Sequence, residues 1–220
     1  MPHGHDHGHG HGHACGCEHD DDDHLKQGEG QQDSLFLSID IPRVTCLNEA
    51  RPSSCQRIFK PWDKRNEESL ESCLESDADD QILLRIPFTS SVKLRALLLK
   101  AGPAGQTPAK LHLYSNAPAT LDFDDANAGV PKPTQSIESV ALARDVVEYP
   151  LRAPKFPAVS ELLIFIPAGS GDETVRIDYI GFRGESLGPR GEAPTNIVYE
   201  SAPQVKDHAK AGTENTNRLG

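Results

Sequence analysis

The feature that most constrains the fold is a series of short apolar runs in which hydrophobic and polar residues alternate. In residues 35–41, Leu35, Leu37, Ile39 and Ile41 would share one face of an extended chain, because successive side chains of a strand point to opposite sides of its sheet. This pattern predicts strands that pack on a core through one face. Seven further candidate strands lie at residues 82–86, 92–99, 111–114, 139–142, 146–149, 159–166 and 175–180.

The sequence between these runs is rich in residues that end regular structure. The chain contains 17 prolines and 18 glycines, which favours many turns and few long helices. We expect Pro87 to end the second candidate strand, and residues 181–185 to turn away from the last one. Only residues 67–75 are compatible with a short helix. Many short antiparallel strands without helical crossovers predict an all-β fold, a β-sandwich or a jelly roll.

Composition divides the chain into three parts. Residues 1–33 carry eight acidic side chains, one basic side chain and almost no large apolar ones. Such a segment buries too little surface to offset its ordering entropy, so it is expected to be disordered. Residues 34–201 are predicted to form one domain, and residues 202–220 a second flexible tail.

The charge and the cysteines indicate where such a chain works. A net charge of −11 disfavours nucleic acid and anionic membranes as partners and favours a soluble monomer. No apolar run is long enough to span a bilayer. An odd count of five cysteines, without a secretory signal, favours a reducing intracellular compartment. Cys46, Cys55 and Cys73 show no useful pairing pattern, and we expect them to be buried and inert.

The N-terminal segment contains the strongest candidate for metal binding. A histidine occupies every second position from residue 3 to residue 13, and two cysteines follow. Imidazole and thiolate are good ligands for zinc, copper(I) and nickel. A flexible chain without a supporting shell would bind such ions weakly and unspecifically, so a solvated tail that holds no cofactor is the alternative. The candidate ligands are His3, His5, His7, His9, His11, His13, Cys15 and Cys17.

No set of residues in the sequence indicates an enzyme. The acidic runs at 75–80 and 122–125 could bind calcium or could be solvated loops. Beyond the first 24 residues the only histidines are His112 and His208, which leaves no convincing base for a cysteine nucleophile. The single tryptophan, Trp62, is either packed over an end of the sandwich or exposed as an anchor for a partner.

Several segments, taken in order, resemble the PITH domain, which is named for proteasome-interacting thioredoxin. They lie at residues 46–49, 59–65, 74–88, 92–94, 113–116, 122–125 and 179–185. The Gly/His-rich start with nearby cysteines resembles the stand-alone members of that family. The resemblance implies a galactose-binding-domain-like jelly roll, a eukaryotic protein of cytosol and nucleus, and a link to the 26S proteasome regulatory particle. The sequence has no Cys-x-x-Cys, so reductase activity is not expected.

Three functions follow from these observations. The first is a non-catalytic protein-interaction module, with the 26S proteasome or another regulatory complex as partner. Its predicted contact residues are Lys60, Trp62, Arg65, Asp77, Asp79 and Asp80. The alternative is metal handling by the His/Cys-rich tail. The third, a glycan- or small-ligand-binding sandwich, rests on fold analogy alone.

Overall fold

The computed structural model describes residues 33–188 and shows eight strands and two short α-helices within that range. The strands are β1 (Thr45–Leu47), β2 (Leu74–Glu75), β3 (Ile82–Ala101), β4 (Leu111–Ser115), β5 (Gln135–Ile137), β6 (Val147–Pro150), β7 (Val159–Ile166) and β8 (Arg176–Ser186). The helices are α1 (Ser54–Arg57) and α2 (Phe123–Ala128), and single turns of 3-10 helix occupy Phe36–Ser38, Ile41–Arg43, Trp62–Lys64, Ala104–Gln106 and Ala153–Lys155.

Strand β3 organises the fold because it belongs to two layers. Its first half pairs with β1 and β7, and β7 continues to β4 and β5; we call these strands the first layer. Its second half pairs with β6 and β8, and β8 pairs with β2; these form the second layer. Every pairing is antiparallel. The predicted all-β jelly-roll sandwich is confirmed.

The core lies between the two layers. Alternate residues of the first layer, such as Leu84 and Ile164, share one buried cluster with Leu97 and Phe182 of the second. This arrangement follows from the period-two pattern, since one face of each strand is apolar and the other is left for solvent or for a covering loop. The predicted strands at 92–99, 111–114, 146–149, 159–166 and 175–180 all lie within or largely within observed strands.

A second, smaller cluster lies on the outer face of the first layer. Leu83, Leu163 and Phe165 point away from the main core and are covered by Leu121 and Ala126. We call residues 117–128 the apolar cover. The acidic run at 122–125 forms the start of α2, where an oxygen of the Asp122 carboxylate accepts a hydrogen bond from the backbone N–H of Asp125 at 3.0 Å. The run therefore caps a helix.

The prediction of a strand at residues 35–41 is wrong. Two 3-10 turns occupy this segment, because its backbone forms local hydrogen bonds such as Ile39 N–H to the Phe36 carbonyl at 3.2 Å. Only some of the alternating apolar side chains of this segment are buried. Leu35 and Ile39 are buried, while Leu37 is 89% exposed.

Four further predictions of local structure also differ from the structure. Residues 67–75 form turns that lead into β2 instead of a helix, and residues 139–142 form no strand. Pro87 does not end its strand, because the register of β3 against β7 shifts between Pro87 and Val92 and a proline is tolerated at such an irregularity. Residues 181–185 continue β8 instead of turning away.

The predicted tails fall almost entirely outside the described residues. Of segment 1–33 only Asp33 is described, and segment 202–220 is not described at all. Their prediction as disordered tails, and the domain boundary at residue 201, stay predictions. Within residues 33–188 no helix is both long and apolar enough to cross a membrane.

Candidate interaction surface

An irregular segment, residues 59–72, covers the outer face of the second layer; we call it the shelf. Lys100 points outward from β3, because its neighbour Leu99 belongs to the core. Its ammonium group donates a hydrogen bond to the Asn66 carbonyl at 3.2 Å and pairs with the Glu68 carboxylate at 2.8 Å. The side chain of Lys100 is only 5% exposed. One buried cation therefore fixes the middle of the shelf to the sheet.

Lys60 fixes the shelf from within. Its ammonium group donates to the Glu67 carbonyl at 2.8 Å and to the Ser72 hydroxyl at 3.2 Å. Burial lowers the pKa of Lys60, and the negative charge of Asp178 opposes that effect. Sequence analysis predicted Lys60 as a contact residue, and the structure places its side chain beneath the shelf, 8% exposed.

Trp62 lies between two arginines. The guanidinium carbon of Arg65 is 4.0 Å from the centre of the Trp62 ring, and that of Arg183 is 5.5 Å away. Arg65 also donates to the Trp62 carbonyl at 2.9 Å, and Arg183 pairs with Glu148 at 3.3 Å. Cations above an aromatic face are attracted by its quadrupole. Trp62 is half-buried in this stack, so it is packed against the sandwich and still presents part of its ring to solvent.

The predicted acidic residues lie elsewhere, in the loop between β2 and β3. The carboxylate of Asp79 accepts from the Asn48 side-chain amide at 2.8 Å and from the backbone N–H of Gln81 at 2.9 Å. Asp80 accepts from the Gly169 N–H at 2.8 Å. Two of the three acids therefore hold the loop in shape, whereas Asp77 is exposed. Among the described residues, no hydrogen bond or ion pair joins this loop to Trp62 or Arg65.

A cavity that was not predicted from the sequence lies beside the shelf. It has a volume of about 710 Å³ and is lined by residues that include Glu68, Ala101, Gly102, Leu142, Arg144 and Arg176. Asp178 contributes to its wall and accepts two hydrogen bonds from the Arg176 guanidinium, at 2.8 and 3.1 Å. The sequence signal was the Arg-x-Asp pair at the start of β8, next to the apolar residues 179–182. The residues of the opposite wall come from distant segments and gave no signal.

The cysteines of the described range are free thiols. Cys55 and Cys73 are buried, as predicted, and Cys46 is half-buried. Burial, together with the charge of Glu49, raises the pKa of Cys55 to about 12, and burial also raises that of Cys46. Thiols that stay protonated at neutral pH are poor nucleophiles and poor metal ligands.

The predicted ligands in the N-terminal tail lie outside the described residues. Between residues 33 and 188, no group of three or more histidine, cysteine, aspartate or glutamate side chains is arranged to hold a metal ion. The zinc, copper and nickel prediction for His3 to Cys17 therefore stays a prediction.

Solved structures with a related fold are distant in sequence. The pair of carbohydrate-binding modules from Clostridium perfringens ZmpB in complex with GalNAc has a TM-score of 0.48 and 14% identity, covering 71% of this chain and 37% of that one. A fucolectin from striped bass serum has a TM-score of 0.47 and 10% identity, covering 72% and 50%. Likenesses at this distance do not bear on function.

Curated proteins resemble the chain along most of its length. PITH domain-containing protein CG6153 of Drosophila melanogaster is 35% identical over 218 residues, which is 99% of each chain. PITH domain-containing protein 1 of Homo sapiens is 36% identical over 177 residues, or 79% of this chain and 80% of that protein. The model of the PITH domain matches residues 25–203. This chain belongs to the PITH domain family.

Proposed function

We propose that the chain is a non-catalytic protein-interaction module of cytosol and nucleus, that it works as a monomer, and that its partner is the regulatory particle of the 26S proteasome. The observation that carries this proposal is the family match over residues 25–203, which includes the whole described fold. The family takes its name from proteasome-interacting thioredoxin, and this name is the reason for the choice of partner. Metal or cofactor chemistry has no part in the proposal.

The shelf supplies the kind of surface that this function needs. Most of its residues from 61 to 71 are exposed, yet the two ammonium groups beneath it hold it in place. A pre-organised segment loses less conformational entropy when a partner binds. It presents Leu70, which is 67% exposed, together with the accessible part of Trp62. Exposed apolar and aromatic side chains on a fixed backbone are typical of binding surfaces.

The test is capture of purified 26S proteasome by the immobilised full chain, at low and at physiological salt. We expect saturable binding that survives physiological salt. Leu70→Asp places a charge on the shelf and should weaken capture by about tenfold, the effect of losing one well-buried apolar contact. Val130→Asp is its matched control, because Val130 is 65% exposed and lies outside the shelf.

Asp77→Lys asks whether the acidic loop contributes as well, since this side chain is exposed and the exchange reverses its charge. Loss of capture would extend the surface to that loop, and unchanged capture would show that the loop is not part of it. Failure of the unaltered chain to capture the proteasome at either salt concentration would refute the proposed partner.

A further inference from the structure

The cavity beside the shelf has the dimensions of a binding site. Its volume of about 710 Å³ falls in the range of about 300–1,000 Å³ that is usual for ligand sites. The end of β3 and the start of β8 form its floor, Glu68 of the shelf forms one wall, and residues 142–144 form the other.

The floor of the cavity is already in its final shape. The N–H of Gly102 donates to the Arg176 carbonyl at 2.8 Å, and the Thr107 hydroxyl donates to the Gly102 carbonyl at 2.8 Å. The stem of Arg176 lies directly against Gly102, since a Cβ on this glycine would be 2.6 Å from the Cβ of Arg176. A cavity held in this way needs little rearrangement to accept an occupant.

The walls combine apolar surface with one unpaired cation. Leu142 is 69% exposed at the rim, and Ala101 contributes further apolar surface. Arg176 is paired with Asp178, and Glu68 is paired with Lys100. Among the charged groups that line the cavity in the described range, Arg144 alone has no close ion-pair contact with another described residue, although its charge helps to lower the pKa of Glu68.

We propose that this cavity binds a short stretch of a partner protein in which an apolar side chain lies beside a carboxylate. The apolar side chain packs on Leu142 and Ala101, and the carboxylate accepts two parallel hydrogen bonds from the Arg144 guanidinium. The carboxylates of Glu68 and Asp178 would repel a phosphate, which carries nearly two charges, more strongly than a carboxylate, which carries one. The inference rests on the proposed function and deepens it by naming the recognised chemistry.

The direct test uses the full chain and a fluorescein-labelled peptide that carries two leucines and two aspartates. Fluorescence anisotropy should show saturable binding. A peptide with asparagine in place of aspartate, and the variant Arg144→Glu, should each weaken binding by about tenfold or more, which is the effect of one lost charge-assisted pair.

The matched control is Arg152→Glu, which makes the same charge change at another exposed arginine, remote from the lining residues. It should bind the aspartate peptide as the unaltered chain does. Equal binding of the aspartate and asparagine peptides would overturn the inference, and so would unchanged binding by Arg144→Glu or the absence of saturable binding. Leu142→Asp, at another exposed position, should also lose binding.

Proteasome capture separates this inference from the proposed function. If the unaltered chain captures 26S proteasome and Arg144→Glu captures it equally well, the proposed function stands. The inference that the cavity contacts this partner is then overturned. If the unaltered chain captures no proteasome but distinguishes the two peptides as described, the proposed partner fails and the inference about the cavity stands.

Discussion

The two layers of the sandwich cover their outer faces by different means. Leu121 and Ala126 of the apolar cover pack on Leu163 and Phe165 of the first layer. The shelf packs on the core only at its first residue, Phe59, and the rest is held to the second layer by charges, above all the cation of Lys100. Apolar burial is insensitive to salt and pH, whereas ion pairs depend on both. The segment whose attachment depends on salt and pH therefore lies beside the cavity, and the segment attached by apolar packing lies on the opposite layer.

The largest effect is expected from a substitution in the apolar cluster on the outer face of the first layer. Phe165 is 1% exposed and meets the rings of Phe123 and His112. Phe165→Ala should lower the free energy of unfolding by about 3–5 kcal/mol, because it removes buried area and leaves a void. Urea unfolding followed by circular dichroism measures this. Leu70→Ala, on the exposed part of the shelf, should change it by less than about 0.5 kcal/mol. Equal losses in the two variants would contradict the comparison.

The next effect loosens the shelf by removing the buried lysine beneath it. Lys100→Ala deletes a charge-assisted hydrogen bond and an ion pair whose acidic partner is 61% exposed. We expect a loss of about 1–2 kcal/mol. Trp62 is the only tryptophan of the chain and lies on the shelf, so its emission reports the change directly.

Lys100→Met is the control for this effect, because it keeps the buried stem of the side chain and removes only the charge. Its loss should be smaller than that of Lys100→Ala. A Trp62 emission maximum that stays unchanged in Lys100→Ala would show that Lys100 does not hold the shelf.

Acid should weaken the attachment of the shelf to the second layer, with a still smaller loss in the free energy of unfolding. The hydrogen bond and charge of Lys100 hold the pKa of Glu68 below its ordinary value. A carboxyl whose pKa is lowered by folding stabilises the fold above the ordinary glutamate pKa of about 4.3, and that contribution is lost as the pH falls through the lowered value. Trp62 emission should therefore shift in this acidic window. Glu68→Gln should abolish that part of the titration, whereas Glu161→Gln, in the first layer, should retain it.

The smallest effect tests the stack around Trp62. Arg65→Gln removes the nearer of the two cations and should lower the free energy of unfolding by about 0.5–1 kcal/mol, with a visible change in Trp62 emission. Lys64→Gln removes an adjacent, exposed positive charge and is the matched control. Identical emission spectra for the two variants would mean that the stack with Arg65 contributes nothing.

The strands of the two layers were predicted from the sequence more accurately than the segments that cover their outer faces. Strand β7 was predicted with its observed bounds, because residues 162–166 form a continuous apolar run that is buried on both faces. The period-two pattern failed at residues 35–41, where local backbone hydrogen bonds took precedence over the sheet. The role of Lys60 beneath the shelf depends on contacts within a folded loop, and no sequence pattern distinguishes a buried lysine from an exposed one. The cavity combines residues from 68 to 178, which only the tertiary structure brings together.

The double membership of β3 sets the order in which a newly made chain can fold. The partners of β3 in the centre of the sheet, β7 and β8, end about 65 and 85 residues after it. At a synthesis rate of about 5–20 residues per second, several seconds pass between the emergence of β3 and that of its last partner. Through that interval β3, the longest strand of the described chain, has both edges unpaired by β7 and β8. A growing chain of this design therefore keeps the apolar face of its central strand uncovered by these partners until the last strand arrives.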